Sequence, residues 1–164
     1  GAGLTLPPGA LSRHPLAPGV CLDAVAEWRD GRVVGIGLEA SRGGGARSRE
    51  AEELQNWIDG WNAGHPEAFA PGLLAWDILP PRTAEILRAL VEVPFGNVVT
   101  YGELAARCGI PRGAQAVGQA MARNPFPLVV PCHRVLPRTG GLGEYSAGGA
   151  DVKRLLLAHE GARW

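Results

Sequence analysis

Three cysteines occur in the chain, and one of them has neighbours that could make it a nucleophile. Cys132 stands in the segment PCHRV, directly before His133 and Arg134. Positively charged neighbours favour the thiolate, which is the form of cysteine that attacks carbon. A cysteine is also commonly a small buried hydrophobe, and we interpret Cys21 and Cys108 in that way. Cys132 is therefore the candidate nucleophile.

The histidine beside Cys132 can act on it only under a geometric condition. The apolar run Leu128–Val130 predicts a short buried strand that ends at Pro131. Adjacent residues on an extended strand point to opposite sides. His133 can therefore serve Cys132 only if the chain turns there or if a water molecule bridges the two. The Cys-His pair alone leaves a nucleophile and a buried core cysteine as open alternatives.

The cysteine pattern also bears on metals, disulfides and compartment. The number of cysteines is odd and no CxxC pair occurs, which argues against a disulfide scaffold and against a four-cysteine zinc site. His14, Cys21 and His65 could in principle gather around a metal, but their scattered spacing does not favour it. We expect no metal, and we expect a cytoplasmic protein (or a nuclear one in a eukaryote).

Two short helical stretches precede the PCHRV segment. Residues 101–108 and 112–123 are joined by Gly109, Ile110 and Pro111, and two helices across a tight turn with glycine form the helix-turn-helix pattern. The second helix carries many small residues, while Gln115, Gln119 and Arg123 supply hydrogen-bond donors. Such a helix can enter a DNA groove, or it can simply pack tightly against its neighbour. Both interpretations stay open at this point.

Composition and charge limit the class of protein. The 164 residues are 46% hydrophobic and 20% charged, as in an ordinary globular protein. No apolar run approaches the ~20 residues that a membrane-spanning helix needs. Residues 1–81 carry six basic and ten acidic groups, and residues 82–164 carry ten basic and six acidic groups, so the net charges are −4 and +4. A positive excess of this size permits a nucleic-acid partner and equally suits a solvated surface.

The chain divides most readily at Pro80-Pro81, which separates a first domain at 1–81 from a second at 82–164. In the first domain, residues 1–20 are predicted to be irregular. Val20–Trp28 and Arg32–Leu38 predict a hairpin around Asp30-Gly31, and residues 48–60 predict a helix. In the second domain, helices are predicted at 83–93 and 151–159, on either side of the segments already described.

The second domain resembles the O6-alkylguanine-DNA alkyltransferases. The resemblance runs from about Pro94 to Gly161 and rests on several motifs in the family's order. These are PFGxVVTYGELA at 94–105, AxAVGxAMxxNP at 114–125, PCHRV at 131–135, GxYS at 143–146 and VKxxLLAHEG at 152–161. Residues 1–81 match less distinctly and look like the variable amino-terminal domain of such proteins.

This resemblance implies a fold and a function. The fold would be α+β, with a small sheet-and-helix domain followed by a helix-turn-helix, winged-helix-like alkyltransferase domain. The protein would bind duplex DNA, flip an O6-alkylated guanine into a pocket and transfer the alkyl group irreversibly to Cys132. O4-alkylthymine is a further possible substrate. No cofactor or metal would be required, and a monomer is the default expectation.

The resemblance also implies roles for the residues around the thiol. His133 matches the histidine that deprotonates the cysteine through a water molecule, and Glu160 matches the glutamate that orients this histidine. Asn124 matches an asparagine that supports the strand and turn around the nucleophile; it could also cap a helix before Pro125. Arg134 matches an arginine that we interpret as structural.

A further set of residues would contact DNA or the flipped base. Tyr101 matches the tyrosine that rotates the phosphate of the target nucleotide. Tyr145 and Ser146, with the backbone of Val135, match residues that contact the base, and Tyr145 could donate to a ring nitrogen so that guanine leaves as a neutral base. Along the DNA-facing helix we place Gln115, Gln119 and Arg123.

The chain departs from the family pattern in two places. Gln115 stands where the family commonly has an arginine that replaces the flipped base in the stack, and glutamine lacks its charge. The segment 145–153 is one residue longer than expected, which puts the substrate range in doubt. Two other classes of function remain as rivals, namely a lesion-binding protein without enzymatic activity and a cysteine hydrolase. The former commonly lacks the cysteine that this chain has.

Overall fold

The computed structural model describes residues 8–42, 49–69 and 72–164. The chain forms two compact units, the first ending at Ile78 and the second beginning at Leu79. Among the described residues, no helix is long and apolar enough to cross a membrane.

The first unit is built on a three-stranded antiparallel sheet in the order β1-β2-β3. The strands are β1 (Ala10–Pro15), β2 (Leu22–Arg29) and β3 (Arg32–Ala40). Asp30 and Gly31 connect the last two with φ angles of 52° and 75°, as the favoured two-residue hairpin turn requires. The hairpin that the sequence predicts is therefore present.

Strand β1 was not predicted, because residues 1–20 were expected to be irregular. Its inward side chains are polar, because Ser12 and His14 are buried. Leu11, which directly precedes Ser12, is 54% exposed. An apolar alternation, which is the usual strand signal, is therefore missing. The strand is held instead by its full register with β2, from Ala10 opposite Trp28 to Pro15 opposite Asp23.

A long helix and a short 3-10 helix at Trp76–Ile78 follow the sheet in the described part of the first unit. Helix α1 spans Arg49–Asn62, so it runs two residues beyond the predicted end, and the predicted first residue, Ser48, lies outside the described residues. Its buried face repeats at helical spacing with Leu54, Ile58 and Trp61, each at most 1% exposed. These side chains and Trp28 of β2 form the core of this unit.

The second unit begins with helices. They are α2 (Pro81–Val91), α3 (Tyr101–Arg107) and α4 (Ala114–Ala122), and a two-residue strand, β4 (Val99–Thr100), leads into α3. Thr100 and Glu103 form a reciprocal capping box that sets the start of α3. Leu87, Leu104 and Val117 are fully buried where these helices meet.

The predicted strand at Leu128–Val130 is wrong. These residues are buried, as expected, but they lie in consecutive turns, and Leu128 has a φ of 75°. The side chain of Asn124 explains the difference, because its amide donates to Val130 O at 3.0 Å and its oxygen accepts from Phe126 N at 2.9 Å. These bonds supply partners to the backbone that a neighbouring strand would otherwise give.

The segment that carries Cys132 connects these helices to the last strand and helix of the unit. A 3-10 turn at Cys132–Arg134 leads into β5 (Val135–Leu136), which pairs in parallel with β4. A glycine-rich loop follows, and α5 (Gly149–His159) closes the unit. Small sheets and five α-helices among the described residues make the α+β class that was predicted.

Candidate active site

Cys132 lies on a backbone turn rather than on a strand. It is the first residue of the 3-10 turn, and its amide donates to Val130 O at 2.8 Å. The same carbonyl accepts the Asn124 amide, so Asn124 supports the segment that carries the thiol. The turn meets the geometric condition stated for His133, because residues in a turn are not constrained to opposite faces.

Glu160 joins His133 and Arg134 in one buried cluster. Glu160 Oε2 accepts from His133 Nε2 at 2.8 Å and from Arg134 Nη2 at 2.7 Å. Glu160 Oε1 accepts from Arg134 Nε at 2.9 Å, so the arginine binds both oxygens. Arg134 Nη1 also donates at 2.7 Å to Val93 O, two residues beyond the end of α2. The position of the carboxylate is therefore set from two sides.

The charges in this cluster determine which nitrogen of His133 can accept a proton. Burial alone would raise the pKa of Glu160, but His133 and Arg134 lower it to about 2, so the residue is a carboxylate. A carboxylate accepts, and His133 Nε2 therefore carries the hydrogen. Nδ1 is then an unprotonated base, and it has no hydrogen-bond partner among the described residues. Burial lowers the pKa of His133, which keeps the ring neutral despite Glu160.

The Cys132 thiol is buried, at 4% exposure, and faces a cavity of about 1030 Å³. Burial raises its pKa. The side chain of Asn124 and the charge of Lys153 act in the opposite direction and lower it. The thiol is therefore protonated at rest and needs a base to become reactive.

The cavity walls come from two helices and the glycine-rich loop. Tyr101 of α3, Gln115 and Gln119 of α4, and Tyr145 and Ser146 of the loop all line it. The Tyr145 hydroxyl is buried without a hydrogen-bond partner among the described residues. Ser146 is exposed, and its hydroxyl reaches Met121 O at 3.5 Å. A buried, unpartnered hydroxyl beside an open cavity is suited to bind a polar ligand.

Helix α4 packs with one face against its unit and leaves the other face open. Val117, Ala120 and Met121 are buried on one face. Gln115 and Gln119 are exposed on the other face and line the cavity.

Comparison with known proteins identifies the family. The domain family described as "6-O-methylguanine DNA methyltransferase, DNA binding domain" matches residues 81–162, which is half of the chain. The chain belongs to this family. The predicted resemblance is therefore confirmed.

Several similar proteins carry the name methylated-DNA–protein-cysteine methyltransferase. The one from Rattus norvegicus is 51% identical over 80 residues, covering 48% of this chain and 38% of that protein. The one from Salmonella typhimurium is 46% identical over 99 residues, covering 57% of each. The chain thus spans less than two thirds of the length of these relatives.

Solved structures of the family extend the likeness to nearly the whole chain. The Mycobacterium tuberculosis protein OGT in complex with DNA has a TM-score of 0.71 at 26% identity and covers 92% of both chains. The O6-methylguanine-DNA methyltransferase of Pyrococcus kodakaraensis has a TM-score of 0.65 at 26% identity, covering 93% of this chain and 99% of that one. The fold of this family member is therefore the one its relatives have.

The structure brings most of the predicted site residues together. Six of them line the cavity: Tyr101, Gln115, Gln119, Cys132, Tyr145 and Ser146. Three more lie behind the thiol, namely Asn124, His133 and Glu160. Two lie apart from the cavity lining. Arg123 is an exposed residue at the end of α4, and the Val135 carbonyl already accepts a bond from Lys153.

Sequence reasoning assigned no role to Lys153. It is fully buried, and Nζ donates to Val135 O at 2.8 Å. A signal for it exists in the sequence, because Lys153 shares the inward face of α5 with Leu156 and Leu157 at helical spacing. A charged residue on an apolar face indicates a buried charge with a specific partner.

Proposed function

We propose that this protein repairs DNA by taking the alkyl group of O6-alkylguanine in duplex DNA onto Cys132, once and irreversibly. The observation that carries the proposal is the buried thiol that faces a cavity and stands beside a neutral histidine with a free base nitrogen. The names of the curated relatives support the same reaction. O4-alkylthymine is a candidate second substrate.

The chemical step transfers one alkyl group and one proton. His133 Nδ1 takes the thiol proton through a bridging water molecule. Glu160 stabilises the resulting imidazolium. The thiolate attacks the alkyl carbon, so that an S–C bond forms while the C–O6 bond breaks. The electron pair of that bond passes to guanine, which takes up a proton from Tyr145 and leaves as the neutral base. The His133 imidazolium then returns a proton to Tyr145 through solvent, so that in total one proton passes from Cys132 to guanine. No cofactor takes part, and the formation of the thioether on Cys132 is irreversible.

The cavity offers partners for a flipped base. The unpartnered Tyr145 hydroxyl is the donor to a ring nitrogen, and Ser146 contacts the base edge. Tyr101, whose ring lies beside Gly118 in the cavity wall, turns the nucleotide's phosphate. A base buried in duplex DNA reaches such a cavity only by flipping.

Helix α4 presents the surface for DNA. Gln115, Gln119 and Arg123 are exposed on it, and Ala114, Gly118 and Ala122 keep its cavity face thin. A thin face with donors suits the minor groove. The Mycobacterium tuberculosis neighbour was solved with DNA, which supports this partner. In this proposal residues 82–164 bind DNA and react, residues 1–81 support them, and the protein acts as a cytoplasmic or nuclear monomer.

Mass spectrometry of the intact protein and of its peptides tests the proposal. The protein is mixed with duplex DNA that holds one O6-methylguanine, and Cys132→Ala is the matched control. We expect one methyl group per protein, located on Cys132, and none on the variant. Tight lesion binding without a mass gain would instead make the protein a damage sensor. Turnover of an ester or peptide without methyl gain would indicate a cysteine hydrolase.

A further inference from the structure

Lys153 is the only lysine in the chain, since every other residue counted among the 16 lysines and arginines is an arginine. It is also fully buried, at 0% exposure. Burying an ammonium group is costly unless it is paired. The location of this single lysine therefore calls for a partner.

The visible partners of Lys153 are two backbone carbonyls. Nζ donates to Val135 O at 2.8 Å and to Glu144 O at 3.3 Å. Val135 follows the turn that carries Cys132, and Glu144 directly precedes Tyr145. Within the described parts of the chain, no carboxylate forms an ion pair with Lys153. The two carbonyls thus fix the ammonium group in place but leave its charge without a counter-charge.

The group that can supply this counter-charge is the Cys132 sulfur. The charge of Lys153 lowers the pKa of Cys132. In turn, burial lowers the pKa of Lys153 to about 8, and the charge of Cys132 acts against this decrease. The titratable and charged groups around this point are Cys132, His133 and Arg134 of the turn, Glu144 and Tyr145 of the loop, Tyr101 of α3 and Glu160 after α5. Of these, Glu160 is already held by His133 and Arg134.

The placement of charges favours the proton transfer that activates the thiol. Moving a proton from Cys132 to His133 creates a negative charge near Lys153 and a positive charge next to Glu160. A cation near the sulfur and a carboxylate on the imidazole therefore stabilise both products of the step. Lys153 also lowers the pKa of His133, but this effect is smaller than the opposite effect of Glu160, which raises that pKa.

We propose that Lys153 is a positioning residue that acts through Cys132: two carbonyls fix its ammonium group where it stabilises the thiolate formed before alkyl transfer. This inference rests on the proposed function for its biological use, although the thiolate can be measured without DNA. Lysine suits the place because its compact ammonium group fits between two carbonyls, whereas the planar guanidinium of arginine is larger.

The first test measures the reactivity of Cys132 with iodoacetamide as a function of pH. The background carries Cys21→Ser and Cys108→Ser, so that one thiol remains. In Lys153→Met, we expect the reactivity midpoint to move to higher pH, with alkylation at about neutral pH at least about fivefold slower. Arg154→Met, an exposed neighbour on α5, is the control and should leave the profile unchanged. A folded Lys153→Met whose midpoint is unchanged overturns the proposal, even if its plateau rate is lower.

A second measurement decides the matter if Lys153→Met does not fold. Because the chain has one lysine, protein labelled with ¹³C at lysine Cε gives a single lysine side-chain signal whose pH titration reports Lys153 alone. Cys132→Asp places a carboxylate at the sulfur position, and Cys132→Asn is its uncharged match. We expect the Lys153 midpoint to be higher in Cys132→Asp than in Cys132→Asn. Equal midpoints would show that a charge at position 132 does not reach Lys153.

Both measurements are made without DNA. Failure of the thiol coupling therefore leaves the methyl-transfer assay of the proposed function untouched. Conversely, a protein that binds lesions without methyl transfer would still report the Lys153–Cys132 coupling.

Discussion

Each unit of the molecule contains a buried histidine in a hydrogen-bonded chain. In the first unit, His14 Nε2 lies 2.7 Å from Ser12 Oγ, and His14 Nδ1 lies 2.8 Å from Gln55 Oε1. In the second, His133 follows Cys132 and its Nε2 binds Glu160 at 2.8 Å. Both histidines bind an acceptor side chain and lie near a hydroxyl or a thiol, as in hydrolase triads, although only Ser12 is hydrogen-bonded to its histidine.

The two histidines differ in what is left unbound. Both ring nitrogens of His14 have side-chain partners, and Ser12 Oγ also accepts from Trp28 Nε1 at 2.8 Å. In the second unit, His133 Nδ1 and the Tyr145 hydroxyl have no partner among the described residues. Buried polar atoms are normally paired, so an unpaired one beside a cavity indicates a place for a ligand or a proton. Residue types alone do not distinguish structure from function here.

The largest expected effect separates these two histidines directly. His133→Ala removes the base and should slow methyl transfer by at least about 100-fold. His14→Ala should leave the transfer rate unchanged and instead lower the free energy of unfolding by about 1–3 kcal/mol, because Ser12 and Gln55 lose a partner. Single-turnover transfer from O6-methylguanine DNA and denaturant unfolding measure the two quantities. A slow His14→Ala, with unfolding unchanged, would contradict the comparison.

The same contrast shows what a sequence can and cannot predict. The hairpin at Asp30-Gly31 and the helices follow from local patterns. Strand β1 does not, because its buried side chains are polar and find partners only in the folded unit. The turn at Leu128 was missed because it depends on the Asn124 side chain. No local pattern links Glu160 to His133, and only the resemblance of the LLAHEG motif suggested that contact.

A change at Glu160 has the next largest expected effect. Glu160→Gln keeps a hydrogen-bonding group but removes the charge that fixes the tautomer of His133 and pairs with Arg134. We expect methyl transfer to slow by about 10- to 100-fold and the free energy of unfolding to fall by about 3–5 kcal/mol, since Arg134 loses its buried counter-charge. The matched change in the first unit, Gln55→Ala, should leave the transfer rate unchanged. Equal transfer rates in Glu160→Gln and the wild type would remove Glu160 from the relay.

The low pKa of Glu160 also predicts a pH dependence of stability. Its pKa is about 2 in the folded protein, compared with an ordinary value of 4.5, so folding stabilises the ionised form of Glu160. This contribution to stability is complete above about pH 4.5 and is lost as the pH falls towards about 2. Unfolding free energies across this range should therefore decline more steeply in the wild type than in Glu160→Gln. Parallel pH profiles would show that the pair contributes no such dependence.

The smallest expected effect concerns a glutamine in each unit, of which one is hydrogen-bonded to other side chains and one is not. Gln55 binds both His14 and Asp59, whereas Gln115 is exposed at the cavity without a side-chain hydrogen bond among the described residues. An arginine at position 115 would add a cation and a planar group that can fill the gap left by a flipped base. Gln115→Arg should therefore speed transfer from duplex DNA by about threefold and leave transfer from single-stranded DNA unchanged, because no stack has to be refilled there. An unchanged or slower duplex rate would show that Gln115 does not occupy the flipping position.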